Sequence, residues 1–97
     1  MPTYITLLRY TQKGIENIKD SPNRLDAAKK MLAAAGGKFI GFYLTMGQYD
    51  AVAIAEFPDD EAVARSSLAG GSQGHVHSET LRAFNEDEYR RIIAGLP

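Results

Sequence analysis

Thr3 to Tyr10 places Ile5 and Leu7 on one side and Tyr4, Thr6, Leu8 and Tyr10 on the other, a period of two that predicts a strand. Thr11 then caps a short helical turn carrying Ile15 and Ile18. Ser21-Pro22 restarts the helix, with Ser21 as N-cap and Pro22 at the first position, where its missing N–H breaks no bond. Leu25, Ala28, Leu32 and Ala35 recur at helical spacing with Met31 beside them, and Gly36-Gly37 ends the run. Lys38 to Thr45 reads as a second strand, with Ile40, Phe42 and Leu44 on one face and Phe39, Gly41, Tyr43 and Thr45 on the other. Met46-Gly47-Gln48 is a tight turn into a third strand, where Tyr49, Ala51, Ala53, Ala55 and Phe57 alternate with Val52 and Ile54.

Pro58-Asp59-Asp60-Glu61 opens another helix, its carboxylates at the positive end of the dipole; Val63 and Leu68 mark its apolar side and Gly70-Gly71 its end. His75 to Ala83 is the fourth strand. Because Val76 and Leu81 differ in parity, a bulge is expected within it. Asn85 to Glu88 matches a capping box, and Tyr89, Ile92, Ile93 and Leu96 give the last helix one apolar face. The order β-α-β-β-α-β plus a C-terminal helix predicts an α+β, ferredoxin-like domain over residues 1–97: a four-stranded antiparallel sheet with two helices on one face.

Covering the side richest in branched residues puts Ile5, Leu7, Ile40, Phe42, Leu44, Val52, Ile54 and Val76 beneath the helices. The face left open then collects the aromatics and the alanine row: Tyr4, Tyr10, Tyr43, Tyr49, Phe57, Ala51, Ala53 and Ala55, with His75, His77 and Glu79. Such a face is too aromatic for solvent, so a homo-oligomer paired through the open sheet is expected, with space for a small apolar ligand above the alanines.

Composition narrows this further. Net charge is −1 with acids and bases interspersed, so no basic tract points to nucleic acid or to a lipid surface. The chain has no cysteine, which removes disulfides, thiolate metal sites and cysteine nucleophiles. No apolar run approaches the roughly 18 residues of a membrane span, and the N-terminus reads as a strand instead of a signal peptide; a cytoplasmic protein is expected.

The stretch Phe42 to Asp50, with Gly47, Gln48 and the Tyr49-Asp50 pair, resembles the signature of the GYD domain family, as do Asp20 to Ala28 and Thr80 to Phe84. The resemblance spans nearly the whole chain. It implies a dimeric α/β barrel, in which ferredoxin-like subunits pair through their sheets, and it brings no established activity. Fold relatives of that group include cofactor-independent monooxygenases, haem-degrading enzymes and muconolactone-isomerase-like proteins, a weak warrant for chemistry.

Tyr4, Tyr10, Tyr43, Tyr49, His75, His77 and Glu79 are the candidate ligand-binding residues, with an aromatic dimer core as the competing reading. A phenolic or quinone-like molecule fits such a lining, and His77 is then the candidate general base of a cofactor-free oxygenation or isomerisation. A non-catalytic binding or interaction role is the first reading and that enzyme the alternative. His75, His77 and Glu79 alternate on one strand face about 6.5–7 Å apart, too splayed to share an ion without tilting together, so neither a metal nor a cofactor is expected. Tyr49 and Asp50 point to opposite faces and do not form an acid–base pair; Asp50 is expected to satisfy backbone donors. Gly70 to Gly74 runs helix to strand and lacks the Gly-Lys-Ser/Thr ending of a phosphate loop.

Overall fold

In the computed structural model, which describes residues 1–97, the alternating segments form one sheet of four antiparallel strands in the order β2-β3-β1-β4. β1 is Thr3–Tyr10, β2 Lys38–Leu44, β3 Ala51–Glu56 and β4 Val76–Ala83. The helices are α1 (Gln12–Glu16), α2 (Ser21–Ala34), α3 (Asp60–Ser72) and α4 (Glu86–Ala94), with a 3₁₀ turn over Ile18–Asp20. α2 links β1 to β2 and α3 links β3 to β4, the split β-α-β order of the ferredoxin-like fold.

Local chemistry accounts for most boundaries. The Thr11 hydroxyl accepts from Gly14 N–H and starts α1, and Asp59 accepts from Ala62 N–H to start α3. Asn85 and Glu88 exchange side-chain and backbone bonds in the expected capping box. Ser21 is helical and caps nothing. The 3₁₀ turn runs directly into α2, so Ser21 N–H is taken by Ile18 O and no capping side chain is needed. α3 also passes through Gly70-Gly71 and stops a turn later at Gly74, whose φ of +79° ends the helix. Glycine inside a helix costs only about 1 kcal/mol, less than the rest of that turn recovers.

On β1 and β3 the sheet faces are the reverse of the expected ones, whereas Phe42 and Val76 lie on the helix side and Tyr43, His77 and Glu79 on the open side, as expected. Tyr4 pairs with Ala55, Thr6 with Ala53 and Leu8 with Ala51, and cross-strand partners share a face. That face lies under the helices: Tyr4, Ala55 and Phe57 pack with Leu32, Ala62 and Val63 as the core. Ile5, Leu7, Val52 and Ile54 occupy the other face, which no helix covers. Both faces are apolar, so a count of hydrophobic residues cannot choose between them. The two crossover helices choose: α2 packs against β2 and α3 against β4, and both lie on the side that carries Tyr4, Ala53 and Ala55.

The expected bulge lies elsewhere. β4 pairs with β1 without interruption from Ala83 to Val76, whereas the pairing of β2 with β3 shifts between Phe39 and Gly41. Ile40 is the extra residue, and beyond it Phe42 returns to the helix side beside Phe39, while Gly41 and Tyr43 oppose Ile54 and Val52 on the open side. No helix is long and apolar enough to cross a membrane.

Candidate functional site

The alanine row does make room, but within the subunit. Between the sheet and the helices α2 and α3 lies a cavity of about 220 Å³. Ala53, Ala55, Leu8, Phe39 and Phe42 form its floor, and Leu25, Ala28, Leu32 and Val63 its roof. Tyr10, Arg24, Gln73 and His75 also line it, with Ser21, Ser66, Ser67 and Ser78 adding hydroxyls. Core packing fills the sandwich around Tyr4 and Phe57; the remainder stays hollow because small side chains face one another across the gap.

Arg24 Nη1 donates to Asn17 O at 3.1 Å, yet Nη2 is shut off from water with no acceptor, and His75 Nδ1 is likewise buried and unpartnered. Burial lowers the pKa of His75, and the charges of Arg24 and Lys13 lower it further, against an opposing pull from Asp20. Arg24 is absent from the candidates drawn from the sequence, although a signal was present. Arg24, Ala28 and Leu32 fall at i, i+4 and i+8, which sets a guanidinium on the apolar stripe of α2.

The other candidates divide between the two faces. Tyr4 is buried, donates to an Asp60 carboxylate oxygen and meets Phe57 edge-on at 5.8 Å, which makes it part of the core. The bond to Asp60, then burial, raises its pKa. Tyr10 and His75 line the cavity. Tyr49, His77 and Glu79 lie across the sheet from it, in a shallow cleft with Leu7 and Arg9, and Tyr43 stands 62% exposed on the same open face. In that cleft Tyr49 donates to Glu79 Oε2 at 2.8 Å, which raises the Tyr49 pKa, and the Arg9 guanidinium sits 4.8 Å from the Tyr49 ring centre. His75 does not share a face with His77 and Glu79, because it precedes the first ladder pair of β4 and escapes the strand's alternation. No three His, Asp or Glu side chains gather closely enough to hold a metal ion.

The hairpin residues are structural. Gly47 turns with φ +119°, the Thr45 hydroxyl donates to Tyr49 O at 2.6 Å, and Thr45 N–H donates to Asp50 O at 2.9 Å. Asp50 then ties the turn to β1, donating its N–H to Leu8 O and accepting Tyr10 N–H on Oδ2, both at 2.8 Å.

Comparison with known proteins fits this geometry. The profile described as GYD domain matches residues 4–93. A curated relative from Thermus thermophilus, named "Glutamine synthetase and cystathionine beta-lyase binding protein", is 34% identical over 85 residues, which span 87% of this chain and 90% of the relative. No solved structure is matched with significance.

Proposed function

The chain belongs to the GYD domain family, and from that premise we propose that it is a cytoplasmic, homodimeric interaction module that pairs through the open face of its sheet and binds a partner enzyme. The observation that carries this reading is the uncovered apolar face. Ile5, Leu7, Val52 and Ile54 are half-buried there, and Tyr43 and Leu81 are 62% and 42% exposed. A two-fold pairing buries each of these side chains twice. Full burial of an exposed large apolar side chain is worth about 1.5–3 kcal/mol, and the part of it still to be gained at these positions works against an association cost of roughly 4–15 kcal/mol.

α4 supports the same reading. Tyr89, Ile92 and Ile93 are 58%, 47% and 48% exposed along one side of it, so its apolar stripe also lacks a partner within the subunit. On this reading Tyr43, Tyr49, His77 and Glu79 lie within or at the rim of the interface, whereas Tyr4, Tyr10 and His75 belong to the subunit interior. The name of the Thermus relative supports an enzyme as the second partner, with glutamine synthetase and cystathionine beta-lyase as the first two to try.

Analytical ultracentrifugation at micromolar concentration is the test: a dimer is expected, and Ile54→Lys is expected to give a folded monomer. A monomeric wild type overturns the pairing. Failure to co-elute with either enzyme on size exclusion overturns the choice of partner.

A further inference from the structure

We propose that the hollow between the sheet and the helices α2 and α3 binds a small apolar monocarboxylate, its carboxylate received by Arg24 and His75 and its hydrocarbon body lying over Ala53. The site lies inside one subunit and does not depend on pairing or on an enzyme partner.

The cavity comes first. Its volume of about 220 Å³ corresponds to roughly seven waters at about 30 Å³ each, the size of a medium-chain or single-ring acid. Ala53 and Ala28 line it from opposite sides. The same strand accepts Val52 and Ile54 on its other face, so branched residues are available to β3 and are absent only where they would close the space. Floor and roof are chiefly apolar, which suits a hydrocarbon and leaves a free inorganic anion poorly housed.

Charge decides the head group. Arg24 takes part in no salt bridge. Asp20, on the turn just before α2, accepts a bond from Asn23 Nδ2 at 2.9 Å. Lys13, on α1, donates Nζ to Gln73 O at 3.1 Å and adds a second positive charge near His75. Two nitrogens therefore lack partners in a locally cationic, water-poor corner, Arg24 Nη2 and His75 Nδ1. A buried donor without an acceptor is costly, most of all on a charged group; a carboxylate satisfies the guanidinium directly and accepts from His75 in the tautomer that carries its proton on Nδ1. An amine would leave the guanidinium without an acceptor.

The probe is octanoate, with octan-1-ol as the same chain lacking the acid. Calorimetric titration with octanoate is expected to saturate, with amide shifts at Arg24, Ala53 and His75 in nuclear magnetic resonance spectra. Octan-1-ol is expected to bind about tenfold more weakly or worse, the worth of a charge-assisted bond. Arg24→Gln should lose octanoate affinity by a similar factor, and Ala53→Leu, which keeps the charge and fills the space, should abolish binding. The proposal fails if octanoate does not saturate, if octan-1-ol or Arg24→Gln matches it, if Ala53→Leu binds undiminished, or if the shifts fall on the open sheet face. The comparison of the two probes uses wild type alone, so a variant that misfolds does not remove the test.

Discussion

Asp50 holds the end of β1: its Oδ2 accepts the Tyr10 backbone N–H at 2.8 Å while its own N–H donates to Leu8 O at 2.8 Å. A loop carboxylate thus supplies the acceptor that Tyr10 would otherwise lack on that side, since β3 begins only at Ala51. Asp50→Ala should destabilise by about 1–3 kcal/mol, the cost of orphaning a partly buried donor. Asp50→Asn, which keeps an oxygen there, should cost less. Urea midpoints at constant slope read both values.

Tyr4 and Asp60 form a pair that responds to alkali. The bond to the Asp60 carboxylate holds the Tyr4 hydroxyl protonated, so its pKa in the fold lies above the ordinary value of about 10. A raised folded pKa contributes stability that is fully present below pH ~10 and is lost as pH climbs toward the folded value. Tyr4→Phe should cost about 0.5–1.5 kcal/mol at neutral pH, and its deficit should shrink above pH ~10. Denaturation midpoints of both proteins across that range provide the check; a constant deficit would contradict the assignment.

Gly14 marks where α1 meets the start of β4. A Cβ at this position would stand 2.1 Å from His75 O, the carbonyl that accepts Thr11 N–H at 3.0 Å. The neighbour is backbone and cannot step aside, so Gly14→Ala should destabilise by about 1–3 kcal/mol through overpacking. Amide exchange at Thr11 should quicken more than exchange in β2, because the displaced contact is local.

Gly70 and Gly71 carry the opposite expectation. Both lie within α3, and a Cβ on either meets nothing within 4 Å. Alanine should therefore stabilise by about 0.5–1 kcal/mol at each site through helix propensity alone. A rise in the thermal midpoint of roughly 4–16 °C for the double variant is the readout.

His77 and Glu79 mark the extent to which single residues can be placed from the chain alone. Their alternation put them on one face, and they share the Tyr49 cleft. His75, two residues earlier, follows the same parity on paper but sits outside the ladder and turns into the cavity. Arg24 was visible as a cation on an apolar stripe, but the meaning of that position depends on what lies opposite it. Here that is a floor of alanines from strands far away in sequence.

The period-two and helical patterns, the caps at Thr11 and Asn85 and the turn at Gly47 are local, and the sequence by itself determined the elements, their order and the ferredoxin-like fold. The same signals raised the expectation that Asp50 satisfies backbone donors, and its bonds to Leu8 and Tyr10 are of that kind. Tertiary structure alone decided which of two apolar faces the helices cover. Each strand offers both faces, so the choice belongs to the crossovers and to the bulge at Ile40, not to any one strand's composition. That decision moved the space above Ala53 and Ala55 from a boundary between subunits to the interior of one, and left Ile5, Leu7, Val52 and Ile54 facing outward.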